Sequence, residues 1–88
     1  MLILVEGNKM NIYLLKQDIN TGYGTYDSCV VAAPSEAIAA TITPSGNTFT
    51  DECWSDWAYT VEDVQVILIG TAKDWTQQGV ILASFNAG

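Results

Sequence analysis

The fold of this chain is decided by one stretch, Val61–Ile69, which has the sequence VEDVQVILI. Branched aliphatic residues dominate the stretch, and such residues favour extended backbone. Because side chains alternate between the two faces of a strand, the stretch presents two sets of residues. One set is Val64, Val66 and Leu68, and the other is Gln65, Ile67 and Ile69. Both sets are mainly apolar, so the stretch predicts a strand that needs cover on two sides.

Three further segments have strand character. Residues 12–15 and 28–33 are rich in aliphatic residues, and the polar connection between them contains two glycines. This arrangement predicts an antiparallel hairpin with a long loop. Residues 80–85 form the last apolar segment, and a polar connector precedes it.

A short helix is predicted between the hairpin and the central stretch. Ser35 is a suitable N-cap, and Glu36 in the first turn complements the helix dipole. Four residues at helical spacing form a narrow apolar stripe, and a Pro-Ser-Gly-Asn cluster at residues 44–47 ends the helix. The stripe consists of Ala37, Ile38, Thr41 and Ile42.

The predicted order is β-β-α-β-β, a small α+β fold with a four-stranded, mostly antiparallel sheet and one short helix on one face. A chain of 88 residues supports one core, and residues 10–88 form the single domain. Residues 1–9 are set apart by the turn-like cluster Glu6–Lys9. They form either an additional N-terminal strand or an extension that precedes an older start at Met10.

The charge balance excludes several functions. Ten carboxylates face three lysines, with no histidine and no arginine, which gives a formal net charge of −7. Direct binding to nucleic acid or to an anionic membrane surface needs clustered cations, so neither is expected. The acidity favours a basic protein partner, or it serves only to keep the chain soluble.

The titratable residues do not form a recognisable catalytic or metal-binding motif. Histidine, the commonest metal ligand and general base, is absent. Cys29 lies within an apolar strand, which predicts an inert core thiol, and neighbouring acids make Cys53 a poor nucleophile. We therefore expect no enzyme activity, no metal and no cofactor. The start of the sequence does not show a signal peptide, so two free thiols in a reducing cytoplasm are expected.

The strongest local feature is an acidic-aromatic segment, residues 51–63. Large aromatic residues dominate binding hot spots, and carboxylates around them select a basic partner. The predicted partner-binding residues are Asp51, Glu52, Trp54, Asp56, Trp57, Glu62 and Asp63. The alternative is that the two tryptophans fold inward as core while the acids are merely solvated.

A second candidate site is the glycine-containing loop that carries Tyr23 and Tyr26. Its spacing does not match a phosphate-binding loop, because no lysine is adjacent and a strand follows. The two tyrosines are interpreted as a binding loop or as a packing pair.

The sequence resembles a group of small uncharacterised proteins of tailed bacteriophages and prophages. The resemblance begins with MNIYLL and Gln17-Asp18, continues through residues 25–28, 30–32 and 44–46, and is most specific in the closing GVILASFNAG. It covers most of residues 10–88 and leaves residues 1–9 outside. It implies a phage origin and the host cytoplasm as location, but it implies no mechanism.

The leading hypothesis is a non-enzymatic phage accessory protein that binds a basic host or defence protein through the acidic-aromatic segment. By analogy with anti-CRISPR proteins, such a protein inhibits a nucleic-acid-handling complex. Two alternatives stay open. One is a structural or self-assembling module, because a single short helix leaves part of a sheet face open for a homodimer partner. The other is a small-ligand binder that uses the tyrosine loop.

Overall fold

A computed structural model describes residues 9–46, 49, 56–73 and 76–85. Within these residues the chain forms four strands and one short helix. The strands are β1 (Asn11–Lys16), β2 (Tyr26–Ala33), β3 (Gln65–Thr71) and β4 (Gly79–Phe85), and the helix is α1 (Glu36–Ala39). The prediction of a small α+β fold with a four-stranded antiparallel sheet is confirmed. The question of an additional N-terminal strand falls on residues 1–8, which lie outside the described residues.

The four strands form one sheet with the order β3-β1-β2-β4. All three neighbouring pairs are antiparallel, and the predicted hairpin of β1 and β2 lies at the centre. In the register, Leu15 lies opposite both Cys29 and Val66. The strands β3 and β4 therefore form the two edges of the sheet and do not pair with each other.

One face of the sheet carries the hydrophobic core, and we call it the covered face. Tyr13 and Leu15 from β1 lie beside Cys29 and Val31 from β2, and all four are buried. Two elements pack against them, the helix region and the segment 56–58. These elements contribute four buried residues, which are Ala39, Ile42, Trp57 and Ala58.

The helix begins as predicted but ends earlier. The Ser35 hydroxyl accepts a hydrogen bond from the backbone N–H of Ile38 at 3.2 Å, which confirms the N-cap. The N–H of Ile42 then bonds the carbonyl of Ala39, three residues back, so the last turn tightens and the helix stops. The predicted stripe is therefore wrong in part. Ile38 and Ala37 are exposed, whereas Ala39 is fully buried.

The stretch Val61–Ile69 forms a strand over only part of its length. Val61–Asp63 is a 3-10 turn, because the N–H of Val64 bonds the carbonyl of Val61 at 3.0 Å. The strand runs instead from Gln65 to Thr71. The predicted alternation is confirmed for Val64 and Val66, which face the core, whereas Gln65 and Ile67 face away from it.

Candidate functional site

The buried side chain of Gln17 organises the loop between β1 and β2. Its Nε2 donates to the carbonyl oxygens of Asn20 at 2.7 Å and Tyr26 at 2.8 Å. Its Oε1 accepts from the backbone N–H groups of Ile19 at 3.0 Å and Asn20 at 2.9 Å. Both donor hydrogens and both lone pairs of the amide are thereby used, so this single side chain fixes the backbone of the loop.

The same loop anchors the start of the acidic-aromatic segment. The side-chain amide of Asn20 donates to the carbonyl of Trp57 at 2.9 Å. The backbone N–H of Tyr26 donates to the carbonyl of Asp56, also at 2.9 Å. The segment 56–58 is consequently held against the covered face by backbone atoms, independently of its acidic side chains.

Trp57 lies in the core and has no exposed area. A partner cannot reach its ring, so the acidic-aromatic segment loses one of its two proposed tryptophan anchors. Among the residues that the structure describes, the indole Nε1 of Trp57 does not find a hydrogen-bond partner. Burying an unpaired donor costs about 1–3 kcal/mol, and packing of the large ring against the strands offsets this cost.

The remaining predicted residues of the segment are distributed unevenly. Glu62 is exposed, while Asp56 and Asp63 are half-buried. The carboxylate of Asp63 accepts a hydrogen bond from the Thr60 hydroxyl at 3.0 Å. Tyr59, which is 50% exposed, is the accessible aromatic residue of residues 56–63. Asp51, Glu52 and Trp54 lie outside the described residues.

The two tyrosines of the second candidate site have different environments. Tyr23 is 81% exposed at the tip of the loop. Tyr26 belongs to β2, packs against the core, and places its ring centroid 4.9 Å from that of Phe85. Tyr26 thus acts as a packing residue, and Tyr23 alone remains available to a ligand.

Cys29 is a buried free thiol on the covered face. Burial raises its pKa from the ordinary value of 9.0 to about 12. The thiol therefore stays protonated at neutral pH and is a poor nucleophile. The prediction of an inert core thiol is confirmed for Cys29, whereas Cys53 lies outside the described residues.

The second face of the sheet, which we call the open face, has a regular arrangement of side chains. Directly opposed residues on neighbouring strands share a face, so the register defines three rows across the four strands in the order β3, β1, β2, β4. The aliphatic row is Ile67, Leu14, Val30 and Leu82. The polar row on one side of it is Gln65, Lys16, Ser28 and Ser84. The shallow row on its other side is Gly70, Ile12, Ala32 and Gly79.

The aliphatic row is accessible at both of its ends. Ile67 is 40% exposed and Leu82 is 67% exposed, while Leu14 and Val30 between them are half-buried. In the described part of the chain, the helix and the segment 56–58 both pack on the covered face. The aliphatic row is consequently an apolar surface that solvent reaches.

The shallow row lacks side chains at its two ends. A Cβ added to Gly70 or to Gly79 would not meet any atom within 4 Å. Ala32 near the centre of this row is fully buried, and Ile12 beside it is half-buried. The open face therefore has a raised aliphatic row next to a lower row that leaves room at the sheet edges.

Charge is nearly absent from the sheet. Among all residues of the four strands, only Lys16 and Asp27 are charged. Lys16 belongs to the polar row, and the three rows of the open face do not contain a carboxylate. The paired residues of the sheet are thus free of carboxylates on both faces, although the chain has a net charge of −7.

Both edges of the sheet carry a β-bulge. The register skips Ile69 in β3 and Ile81 in β4, so each edge strand has one extra residue at that point, and a further irregularity skips Asp27 in β2. Bulges distort the backbone hydrogen-bonding pattern and are a common protection against pairing with another strand. The edges are thus less suited to adding strands than a regular edge would be.

Two of these features were not identified in the sequence analysis. The Gln17 network depends on a loop conformation, and a glutamine in a polar loop does not signal burial. The exact rows of the open face depend on the strand order and on the two bulges. The apolar character of both strand faces was a usable signal, and it underlies the self-assembling alternative.

The fold and these surfaces define a small α+β protein in which the described helix and the segment 56–58 both pack on one face of the sheet. Comparisons with protein-family models, with curated proteins and with solved structures did not find a match for this chain. Among the described residues, no group of three or more potential ligands is arranged to hold a metal ion. Likewise, the helix in the described part of the chain is not long and apolar enough to span a membrane.

Proposed function

We propose that this chain is a non-enzymatic protein-binding module that contacts its partner through the open face of the sheet. The observation that carries the proposal is the aliphatic row, which extends across all four strands and ends in the exposed residues Ile67 and Leu82. Exposed apolar patches of this kind mark interaction surfaces in soluble proteins.

The chemistry of the remaining residues supports a binding role over a catalytic one. The chain has no histidine to act as a general base near neutral pH. The buried Cys29 thiol stays protonated, so it does not supply a nucleophile. A phage origin and a site of action in the host cytoplasm, which the resemblance over most of residues 10–88 implies, are part of this proposal.

Site-specific photocrosslinking tests the open face directly. A photoreactive phenylalanine analogue replaces Leu82 in the full chain, which is expressed in the cells that carry its gene. The matched control places the same analogue at Leu68. This leucine is also on an edge strand and is 60% exposed, but it lies opposite Tyr13 and therefore belongs to the covered face.

We expect a covalent protein adduct from position 82 that is at least about tenfold more abundant than any adduct from position 68. The adduct identifies the partner by mass. Equal yields from the two positions, or no adduct from position 82, would contradict the proposal that the open face binds protein.

A second candidate function is binding of a basic host or defence protein through the acidic-aromatic segment. The observation in its favour is Tyr59, which is 50% exposed in a segment that also carries the exposed Glu62. Carboxylates around an accessible aromatic ring favour a cationic partner. By analogy with anti-CRISPR proteins, binding through this segment would inhibit a nucleic-acid-handling complex.

We expect complexes formed through the two candidate surfaces to respond differently to added salt and to the removal of carboxylates. A complex through the acidic-aromatic segment should weaken as salt screens the charges, whereas apolar contacts on the open face should not. The combined variant Asp51→Asn, Glu52→Gln, Asp56→Asn should abolish the former complex. Glu36→Gln, which removes an exposed carboxylate of α1, is the control.

Photocrosslinking from position 59 tests the acidic-aromatic segment directly, and the absence of adducts from this position would argue against the second candidate function.

A further inference from the structure

We propose that the loop between β1 and β2 and the acidic-aromatic segment form one binding surface, on which Tyr23 anchors an arginine-rich segment of a partner protein. We call this surface the loop end and define it by residues 18–27 and 56–63. The inference rests on the second candidate function, because it adds the loop to that surface and names the chemistry of the partner. Three properties of the described residues support it, which are the presentation of Tyr23, the attachment of the loop to the segment, and the distribution of charge.

Tyr23 is presented at the tip of the loop with 81% of its surface exposed. Its two chain neighbours are Gly22 and Gly24, and a Cβ added to either would not meet any atom within 4 Å. Gly24 also has a positive φ of 82°, a conformation that favours glycine. The side-chain positions next to Tyr23 are therefore empty, and a partner group can approach the ring without displacing a neighbouring side chain.

The loop that carries Tyr23 is fixed by hydrogen bonds at both ends. The four hydrogen bonds of the Gln17 amide hold the backbone at its start and at its end. The Thr25 hydroxyl donates to the carbonyl of Gly22 at 2.6 Å, which closes the tip. An aromatic side chain on a preorganised loop loses little conformational entropy when it binds. Tyr23 thus has the exposure and the support that binding anchors have.

The loop and the acidic-aromatic segment are attached to each other. The Asn20 side chain donates to the carbonyl of Trp57, and the N–H of Tyr26 donates to the carbonyl of Asp56, both at 2.9 Å. Tyr23 is three residues from Asn20, and Tyr59 is two residues from Trp57. The two exposed tyrosines are consequently held at the same end of the sheet, where one partner can contact both.

The carboxylates of the described residues are concentrated at this end. In the register Lys16 lies opposite Gln65, so β3 begins where β1 ends and the residues just before β3 belong to the loop end. Glu36, in contrast, begins α1 beyond the far end of β2. Of the six carboxylates that the structure describes, five lie at the loop end, namely Asp18, Asp27, Asp56, Glu62 and Asp63.

Two of the three lysines lie at the opposite end of the sheet. The N–H of Ala72 donates to the carbonyl of Met10 at 2.8 Å, and Lys9 and Lys73 each adjoin one of these two residues. The described charges are therefore polarised along the sheet, which attracts a cationic partner to the loop end and orients it. Arginine suits this surface better than lysine, because its planar guanidinium stacks on aromatic rings and also pairs with carboxylates.

An NMR titration of the full chain, labelled with ¹⁵N, tests the location of the surface. The probe is a short peptide of alternating arginine and glycine, added at an ionic strength of about 0.15 M to limit unspecific attraction. We expect the shifted amide signals to belong to residues 18–27 and 56–63, with those of residues 9–12 and 70–73 unchanged. Shifts spread evenly over the chain, or the absence of shifts at about 1 mM peptide, would overturn the inference.

The role of Tyr23 is tested by two variants that keep the net charge of −7. Tyr23→Ser removes the ring and should raise the dissociation constant of the peptide at least about fivefold. Tyr23→Phe is the matched control, because it keeps the ring, and it should change the constant less than about twofold. Attraction by charge alone would not distinguish these variants, so equal affinities of the two would overturn Tyr23 as the anchor.

The position of the charge is tested by Asp18→Asn and Glu36→Gln. Each variant removes one exposed carboxylate, the first at the loop end and the second at the opposite end. Asp18→Asn should raise the dissociation constant at least about threefold, and Glu36→Gln less than about 1.5-fold. Equal effects would show that the peptide responds to the overall charge of the chain, which would overturn the assignment to the loop end.

Peptide binding by the combined variant Asp51→Asn, Glu52→Gln, Asp56→Asn separates failure of this inference from failure of the second candidate function. Weaker binding in both the combined variant and Tyr23→Ser supports a single surface. A loss in the combined variant alone overturns the inclusion of the loop and leaves the second candidate function standing. A loss in Tyr23→Ser alone contradicts both. The photocrosslink from position 82 is independent of these variants and tests the open face alone.

Discussion

The two faces of the sheet are built from the same kinds of residues and differ in what covers them. The covered face places Leu15 and Val31 under the helix and the segment 56–58, where both are fully buried. The open face places Leu14 and Val30 one position away along the same two strands, and both keep partial exposure. Apolar character therefore does not by itself determine burial in this chain. Among the described residues, the greater burial of Leu15 and Val31 follows from the helix and the segment 56–58, which both pack on their face of the sheet.

The largest expected difference between the two faces is in the free energy of unfolding lost when one leucine on each face is replaced by alanine. Leu15→Ala should lower the free energy of unfolding by about 3 kcal/mol, because it leaves a cavity in the core. Leu82→Ala should change it by less than about 0.5 kcal/mol in the monomer, because Leu82 is mostly exposed. Urea unfolding at about 5 µM protein measures both. Equal losses would show that the open face is covered in the monomer.

The second prediction concerns the amide that holds the loop on the covered side. Gln17→Leu leaves the backbone groups of Ile19, Asn20 and Tyr26 without the partners that Gln17 provides. We expect a loss of about 2–3 kcal/mol in the free energy of unfolding. The control is Gln65→Leu, the same substitution at an exposed position of the polar row, with an expected change below about 0.5 kcal/mol. If Gln17→Leu left the free energy of unfolding unchanged, the structural role of the Gln17 hydrogen bonds would be contradicted.

The third prediction uses the thiol of the covered face. The folded protein keeps Cys29 protonated up to a pKa of about 12, while the unfolded chain releases the proton near 9.0. Folding thus retains a proton that the unfolded state loses, and stability present below pH 9 falls as the pH rises towards 12. The stability difference between the native chain and Cys29→Ala should shrink by about 1 kcal/mol between pH 8 and pH 10. A pH-independent difference would show that solvent reaches the thiol.

The smallest expected effect is that of Trp57→Phe in the same core. Trp57→Phe removes an indole N–H that lacks a hydrogen-bond partner within the described part of the chain, and this gain offsets part of the lost packing. The free energy of unfolding should change by less than about 1 kcal/mol, whereas Trp57→Ala should cost about 3–5 kcal/mol. Thermal and urea unfolding of the two variants provide the measurement. A large loss in Trp57→Phe would indicate that the indole nitrogen has a bonding role.

The sequence predicted the features that depend on local patterns. The hairpin of β1 and β2, the Ser35 cap and the alternation of Val66 and Ile67 all follow from short-range rules, and the structure has them. The fold class also follows from the order of these segments.

Features that depend on distant contacts were not predictable in this way. The strand order places β3 beside β1 and β4 beside β2, and local patterns do not specify which strands pair. The early end of the helix at Ala39 and the turn at Val61–Asp63 reflect backbone hydrogen bonds that compete with the predicted elements. For the candidate site, the sequence marked residues 51–63, but the burial of Trp57 depends on anchoring by Asn20 from a distant loop.

The combination of one covered face and two bulged edges limits how many neighbours a copy of this chain can hold. A unit with adhesive surfaces on opposite sides has a valence of two and polymerises into filaments. Here the covered face is occupied by the chain's own helix, and each edge is interrupted by an extra residue. Among the described residues, neither the covered face nor the bulged edges therefore offers a regular surface for such growth.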